Sequence, residues 1–434
     1  MSFDIVIENG IVITLNKENE IIFNGAVGIK ESSIAAVGKT NEIDKAGAAK
    51  VLNAKGGIIM PGFVNAHTHA AMTLFRGLAD DLPLMDWLNN HIFPAEAKLN
   101  RDMVYAGTML ACAEMILSGT TCFCDMYLFE DAVAQAADDA KMRAVVGEVL
   151  YDFPSPNYGP IEKGFLFTEM LLEKYKNHPR VSIAVEPHSP YLCAPPILEQ
   201  SARIAQKWNA PVVIHVSETK AEVAQMLEKY GKTPVAHLAD LGFLSPRVVA
   251  DHCVVLTEDD INLLAANSVK VAINPESNMK LASGTAPVRE LMAAGVCVAL
   301  GTDGCASNND LDMIGEMDTA AKVHKVVTED PTVMKAQTAL ELATINGARA
   351  LGLEKFIGSI EKGKLADIIV VDTAKPHLTP MYNPISHLVY AARGSDVAHS
   401  IIHGRLVMEN RQLLCLDVEK AMADVRQLAK IIRP

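Results

Sequence analysis

Two histidines separated by one residue, His67-Thr68-His69, close a mostly apolar run that begins at Ile58. On a strand, side chains two apart share a face, so both imidazoles can turn toward one point from a strand end. Neutral imidazole is a common metal ligand, and two of them make half of a tetrahedral zinc shell. Three more groups of suitable type stand in similar settings. His215 is near the end of Pro211-Val-Val-Ile-His-Val, His252 lies in Val249-Ala-Asp-His-Cys, and Asp303 follows Val298-Ala-Leu-Gly-Thr. A lone histidine in a strand is usually a hydrogen-bonded core residue. Four histidines and an aspartate, all in or just after strand-like runs, point instead to a metal centre.

The elements that must carry these groups recur along the chain. Strand-like segments fall at Ile58–Val64, Thr121–Met126, Ala144–Leu150, Val181–Val185, Pro211–Val216, Val248–Val255, Val269–Ile273 and Val296–Gly301. Most are separated by amphipathic stretches such as Arg101–Leu117, Pro195–Trp208 and Glu258–Ala266. Near-continuous apolar strands alternating with helices predict a parallel sheet buried on both faces. Eight such units fit a closed (β/α)8 TIM barrel of the α/β class, whose active sites lie at the C-terminal strand ends. An open doubly wound sheet is disfavoured, because no Gly-X-Gly-X-X-Gly follows any strand. Both ends of the chain read as short strands and turns, neither sufficient alone, and together they predict one small β-sandwich. The expected division is 1–57 (sandwich), 58–355 (barrel) and 356–434 (sandwich and a C-terminal helix), with Asn9-Gly10 and His403-Gly404 as hairpin turns.

Composition narrows the class of protein. The 434 residues are 50% hydrophobic and carry a formal charge of −13, from 39 basic and 52 acidic side chains. That balance argues against nucleic acid as a partner, which calls for a basic face. The zinc-deaminase signature of the base editors, His-X-Glu with Pro-Cys-X-X-Cys, is absent as well. The eight cysteines sit mostly in apolar runs, as reduced core residues of a cytoplasmic protein do. No signal-like start and no bilayer-spanning apolar run is evident, so no membrane association is expected. A homo-oligomer is left open.

The metal pattern His67-X-His69, His215, His252, Asp303 resembles the amidohydrolase superfamily. More locally, Pro83-Leu-Met-Asp-Trp-Leu, Phe93-Pro-Ala-Glu96, His188-Ser-Pro-Tyr, His215-Val-Ser-Glu-Thr, Asn274-Pro-Glu-Ser-Asn-Met and Gly301-Thr-Asp-Gly resemble the 5-methylthioadenosine/S-adenosylhomocysteine deaminases. Guanine deaminases and triazine chlorohydrolases share much of this framework and remain alternatives, whereas a non-enzymatic scaffold would have lost ligands that are all present. Dinuclear members of the superfamily place a carboxylated lysine on the fourth strand. Here that segment reads Val181-Ser-Ile-Ala-Val-Glu-Pro-His188, without lysine. The resemblance therefore implies one metal, held by His67, His69, His215 and Asp303, with His252 just outside. Zinc suits a nitrogen-rich shell, and ferrous iron is the second choice.

The resemblance also implies the chemistry and its residues. A metal-bound water attacks C6 of an adenosine-type nucleoside, and ammonia leaves. Glu218 would protonate the ring, Asp303 would take and relay the proton of the water, and His252 would stabilise charge on the intermediate. Glu218 also precedes a helix, where an acid favours the N-terminus. Glu96 and His188 match nucleoside-binding positions, a carboxylate being able to accept from both hydroxyls of a ribose. The loop Asp80–His91, with Leu82, Leu84, Met85 and Trp87, would line an apolar slot for the 5′ substituent. Several relatives carry an arginine near the end of the third strand, suited to a substrate carboxylate. This chain has Glu148 there and only Lys163 as a nearby cation, so methylthioadenosine or adenosine is expected to outperform S-adenosylhomocysteine.

Overall fold

A computed structural model describes residues 2–82 and 84–432. The barrel strands are β1 (Phe63–Thr68), β2 (Thr120–Tyr127), β3 (Arg143–Leu150), β4 in two pieces (Val181–Ile183 and Glu186–Pro187), β5 (Val212–Val216), β6 (Val248–His252), β7 (Lys270–Ile273) and β8 (Cys297–Leu300). All neighbours pair in parallel and in sequential order, β1 to β4 in one sheet and β5 to β8 in the other. Every residue of β1, β2 and β3 is buried, as strands covered on both faces require.

The two half-barrels close at two places. Val185 bridges to Val212, and the Val213 amide donates to Val185 at 3.2 Å. Between β8 and β1 the closure runs largely through side chains. Asn65 accepts from the Thr302 amide at 3.0 Å and donates to Thr302 Oγ1 at 2.8 Å, while the Asp303 amide donates to the His67 carbonyl at 3.0 Å. Gly301 is needed here: a Cβ would stand 2.8 Å from the His67 backbone nitrogen and 2.6 Å from Asn274 Oδ1.

The chain ends build one nine-stranded sheet. Its order is Gln412–Leu413, Arg405–Glu409, Val397–Ile402, Ile368–Val371, Ile58–Pro61, Ile5–Ile13, Ile21–Lys30 and Ser33–Lys39, with Lys50–Asn53 also on Ile5–Ile13. Ile7, Val27, Ile29, Ile59, Ile368 and Ile401 pack as its apolar interior. The helix Val418–Ile432 lies against the helix Arg101–Ser118 of the barrel.

Two local expectations need correction. The run Ile58–Val64 is not one barrel strand. Ile58–Pro61 pairs antiparallel with Ile368–Val371 in the flanking sheet, and the barrel strand starts only at Phe63. Gly62 marks the break, its backbone so close to Thr121 that a Cβ would meet that side chain at 2.1 Å. Asn9-Gly10 is not a hairpin turn either. It forms an irregularity inside Ile5–Ile13, with Asn9 at φ 58°, where Gly10 lets Ile59 approach. His403-Gly404 does turn the hairpin between Val397–Ile402 and Arg405–Glu409, both residues having positive φ as a type I′ turn demands. Among the described residues, no helix is long and apolar enough to cross a membrane.

Candidate active site

The C-terminal ends of β1, β5, β6 and the loop after β8 bring His67, His69, His215, His252 and Asp303 together. Possible ligand atoms of His67, His69 and Asp303 lie within 4.8 Å of one another, and so do those of His67, His215 and His252. Asp303 Oδ1 is 3.2 Å from His69 Nε2 and 3.6 Å from His67 Nε2. The orientation of the rings tests whether a cation fits. His69 Nδ1 faces the Met126 carbonyl, and His215 Nδ1 faces the His188 carbonyl at 2.8 Å. Each Nδ1 must then carry the proton and donate it, which leaves bare lone pairs on both Nε2 atoms. These two nitrogens face each other at 3.4 Å, an arrangement suited to a shared cation. His67, wholly buried, has neither ring nitrogen in a hydrogen bond. The donor set fits a zinc-like ion.

Strained backbone helps the convergence. His252, Cys253, Ser217 and Asp303 all have left-handed φ values, at 68°, 49°, 53° and 61°. Such residues persist only where the surroundings hold them, often at functional sites. His252 Nδ1 faces the amide of Asn278 at 2.9 Å and that of Asn274 at 3.3 Å. Accepting at Nδ1 leaves the proton on Nε2, which points toward Glu218 Oε2 at 4.0 Å.

The carboxyls differ in character. Burial raises Glu218, with the neighbouring His252 only partly offsetting it. Burial also acts to raise Asp303, but its contacts with His67 and His69 prevail and hold it well below the ordinary range. Ser277 and Ser307 donate to Asp303 Oδ2 at 2.6 and 2.8 Å, and the Gly304 amide donates to Oδ1 at 2.8 Å. Glu218 is placed by its backbone: Glu222 accepts from the amides of Ser217 and Glu218 at 2.9 and 2.7 Å. Thr219 caps the helix Lys220–Tyr230, so Glu218 precedes that helix as its sequence suggested.

Above this floor opens a cleft lined by residues from several of the loops at the C-terminal strand ends. Glu96 and His188 both line it. Glu96 ends a short helical turn, Phe93–Glu96, that follows a π-turn at Leu88–Ile92. Burial pushes its carboxyl up to about 7, against the opposing pull of the Tyr127 hydroxyl and His69. His188 is driven down to about 3 by burial and by the imidazoles around it, so it is neutral. Its ring lies 4.7 Å from that of His215.

The walls are apolar and aromatic. Trp87, Leu88 and Ile92 come from the segment after Asp80, and Tyr151, Phe153 and Phe93 form a cluster in which Tyr151 and Phe153 stack at 3.9 Å. Of the loop side chains named from sequence, Trp87 faces the cleft and Leu82 does not. Those of Leu84 and Met85 lie outside the described side chains, as does Pro83. No lysine or arginine among the described residues lines the cleft.

Glu148 does not face the substrate space as expected. It is fully buried, accepting from the Glu130 amide and from Asn157 Nδ2, each at 2.9 Å, while its strand neighbour Val149 turns toward the cleft. Lys163 is exposed on the helix Ile161–Tyr175. Sequence reasoning also missed Tyr127, Glu222 and Asp251. Asp251 Oδ2 lies 3.0 Å from His67 Nδ1, both groups fully enclosed. The one available signal was position, since Asp251 interrupts an apolar strand directly before His252.

Imidazoles and a carboxylate converging on the rim of a parallel barrel define a metal-dependent hydrolase. The chain belongs to the amidohydrolase family, whose sequence pattern matches residues 58–407. It is 60% identical over 432 residues to a 5-methylthioadenosine/S-adenosylhomocysteine deaminase of Syntrophobacter fumaroxidans, with 99% of each chain covered. A 5′-deoxyadenosine deaminase of Methanosarcina acetivorans is 45% identical over 429 residues, with 98% of each covered. The crystal structure of an adenosine deaminase from Xanthomonas campestris with bound zinc matches at a TM-score of 0.97 and 40% identity, covering 100% of this chain and 99% of that one.

Proposed function

We propose that this chain removes the C6 amine of adenosine-type nucleosides by hydrolysis, giving the inosine form and ammonia. The observation that carries the reading is one cleft floor on which a carboxyl raised by burial, Glu218, and one held low, Asp303, flank convergent imidazoles. Two titratable groups whose surroundings push them apart divide acid from base work.

The residues that would hold the metal are His67, His69, His215 and Asp303, as one divalent ion per chain, zinc by preference. When bound, such an ion activates a water molecule at neutral pH. Glu218, protonated, donates to purine N1 and makes C6 electrophilic. Asp303 accepts the proton that the attacking water loses and returns it to the departing amine, and the second proton of that water leaves the oxygen as the C6 carbonyl forms and restores Glu218. His252 donates from Nε2 to the oxygen added at C6. Glu96, when ionised, accepts from the ribose hydroxyls, and neutral His188 offers a second polar contact.

The aromatic wall and the lack of a lining cation favour an uncharged 5′ group. Methylthioadenosine and adenosine should therefore be converted with higher kcat/KM than S-adenosylhomocysteine. All eight cysteines are free thiols, which supports a reducing, cytoplasmic setting. The test is elemental analysis joined to an ultraviolet deamination screen across adenosine, its 5′-thio derivatives, guanine and a chlorotriazine. About one metal per chain and turnover of the adenosines are expected. Turnover of guanine or the triazine alone would overturn the substrate assignment, and two metals at full activity would overturn the stoichiometry.

A further inference from the structure

We propose that Asp251 is a positioning residue for the metal centre: it fixes the His67 ring through Nδ1 and tightens metal binding by its charge. The inference rests on the ligand set proposed above. The three histidines of that set are not oriented alike. His69 and His215 each direct Nδ1 at a neutral backbone carbonyl, but His67 Nδ1 meets the Asp251 carboxylate at 3.0 Å. Neither Asp251 oxygen has a hydrogen-bond partner among the described residues, and neither does either His67 nitrogen. The two groups are thus left to each other.

Strand geometry explains how Asp251 reaches this place. The parallel register pairs Asp251 with His215, which puts both side chains on the inner face of neighbouring strands. The next residue should then turn away. His252 instead adopts φ 68°, and this left-handed step lets two consecutive residues serve the same centre. Charge supplies the second argument. Three neutral imidazoles and Asp303 offer a divalent ion one negative charge, and Asp251 adds another behind His67. A carboxylate on the far nitrogen of a metal-binding histidine fixes its tautomer and raises its basicity, and loss of such a partner costs about 10–100-fold in metal affinity.

The experiment measures zinc affinity of the full chain by competition with a chromogenic chelator, for wild type, Asp251→Ala, Asp251→Asn and Glu186→Gln. Cobalt(II) absorption of each variant reports the geometry around the ion. Glu186 is the control, a fully buried carboxyl of the same barrel interior. Asp251→Ala should bind zinc about 10–100-fold more weakly and alter the cobalt bands. Asp251→Asn should weaken it by about fivefold or more, since an amide oxygen can face Nδ1 in the same place but brings no charge, and Glu186→Gln should stay within about threefold. If Asp251→Ala does not fold, the asparagine variant decides. Wild-type affinity in both Asp251 variants overturns the proposal, as does an equal loss in Glu186→Gln. A wild-type protein that binds no zinc overturns the ligand set, and this inference with it.

Discussion

Glu218 and Asp303 are both carboxyls and both enclosed, yet their surroundings push them in opposite directions. Burial prevails at Glu218 over the more distant His252, whereas Asp303 lies close to His67 and His69 and accepts from two hydroxyls. Replacing Glu218 with glutamine keeps the shape and removes the transferable proton. Turnover should fall by about 10² or more while metal content stays the same. Near-normal turnover by steady-state kinetics would rule out the proton-donor role. Glu96 provides a second test with the opposite sign. Its carboxyl is raised to about 7, and only the ionised form accepts from both ribose hydroxyls. Nucleoside KM should therefore fall as pH rises through that value, whereas Glu218 must stay protonated and will limit kcat on the alkaline side. Glu96→Gln should flatten the KM dependence over about pH 6 to 8, measured by titrating initial rates. At this scale the sequence was readable wherever residue type itself implies chemistry, as at His67, His69, His215, His252 and Asp303. Asp251 and Tyr127 were not readable, because a single polar group in an apolar strand does not disclose which side chain it will meet.

The segments that shape the cleft are short and irregular: the π-turn before Glu96 and the loop leaving β3. Phe153 in that loop is 40% exposed and stacks on Tyr151 at the cleft wall. It is therefore a better point for changing 5′-group preference than Glu148, whose oxygens are committed to Glu130 and Asn157. Phe153→Arg should raise kcat/KM for S-adenosylhomocysteine relative to methylthioadenosine by about tenfold, through a charge-assisted contact with the carboxylate tail. An unchanged ratio in a two-substrate competition assay would place the tail elsewhere. Seven of the eight barrel strands could be found beforehand from their apolar runs, since burial on both faces leaves a continuous signal, and the first was placed too early. Direction within a strand was less legible. Glu148 was assigned to the cleft without a register to say which face it occupies, and Ile58–Val64 hid a change of sheet because both halves are equally buried.

The barrel and the flanking sheet are joined by a buried, two-pronged ion pair. Arg143, at the start of β3, donates to Asp367 at 2.7 and 3.2 Å, and the His403 amide donates to the same carboxylate at 2.7 Å. Removing one partner strands the other charge away from water. Asp367→Ala should therefore destabilise the protein by about 3–5 kcal/mol, readable in denaturant unfolding, and a change under about 1 kcal/mol would show that the pair is dispensable. The same sheet has a consequence for how the chain is made. Ile58–Pro61 leads through Gly62 into the strand that bears His67, and it is flanked by Ile11–Val12 on one side and Ile368–Val371 on the other. Synthesis delivers the first neighbour early and the second some three hundred residues later. For most of translation at about 5–20 residues per second, a wholly apolar strand edge waits beside the nascent barrel without its partner. The ribosome-bound chain thus passes through a long sticky interval, and the histidine-bearing strand is clamped last on its far side. Protease sensitivity near Gly62 in chains stalled before residue 368, lost once the stall point lies far enough beyond 371 for Ile368–Val371 to have left the ribosome, is the mark such an interval would leave.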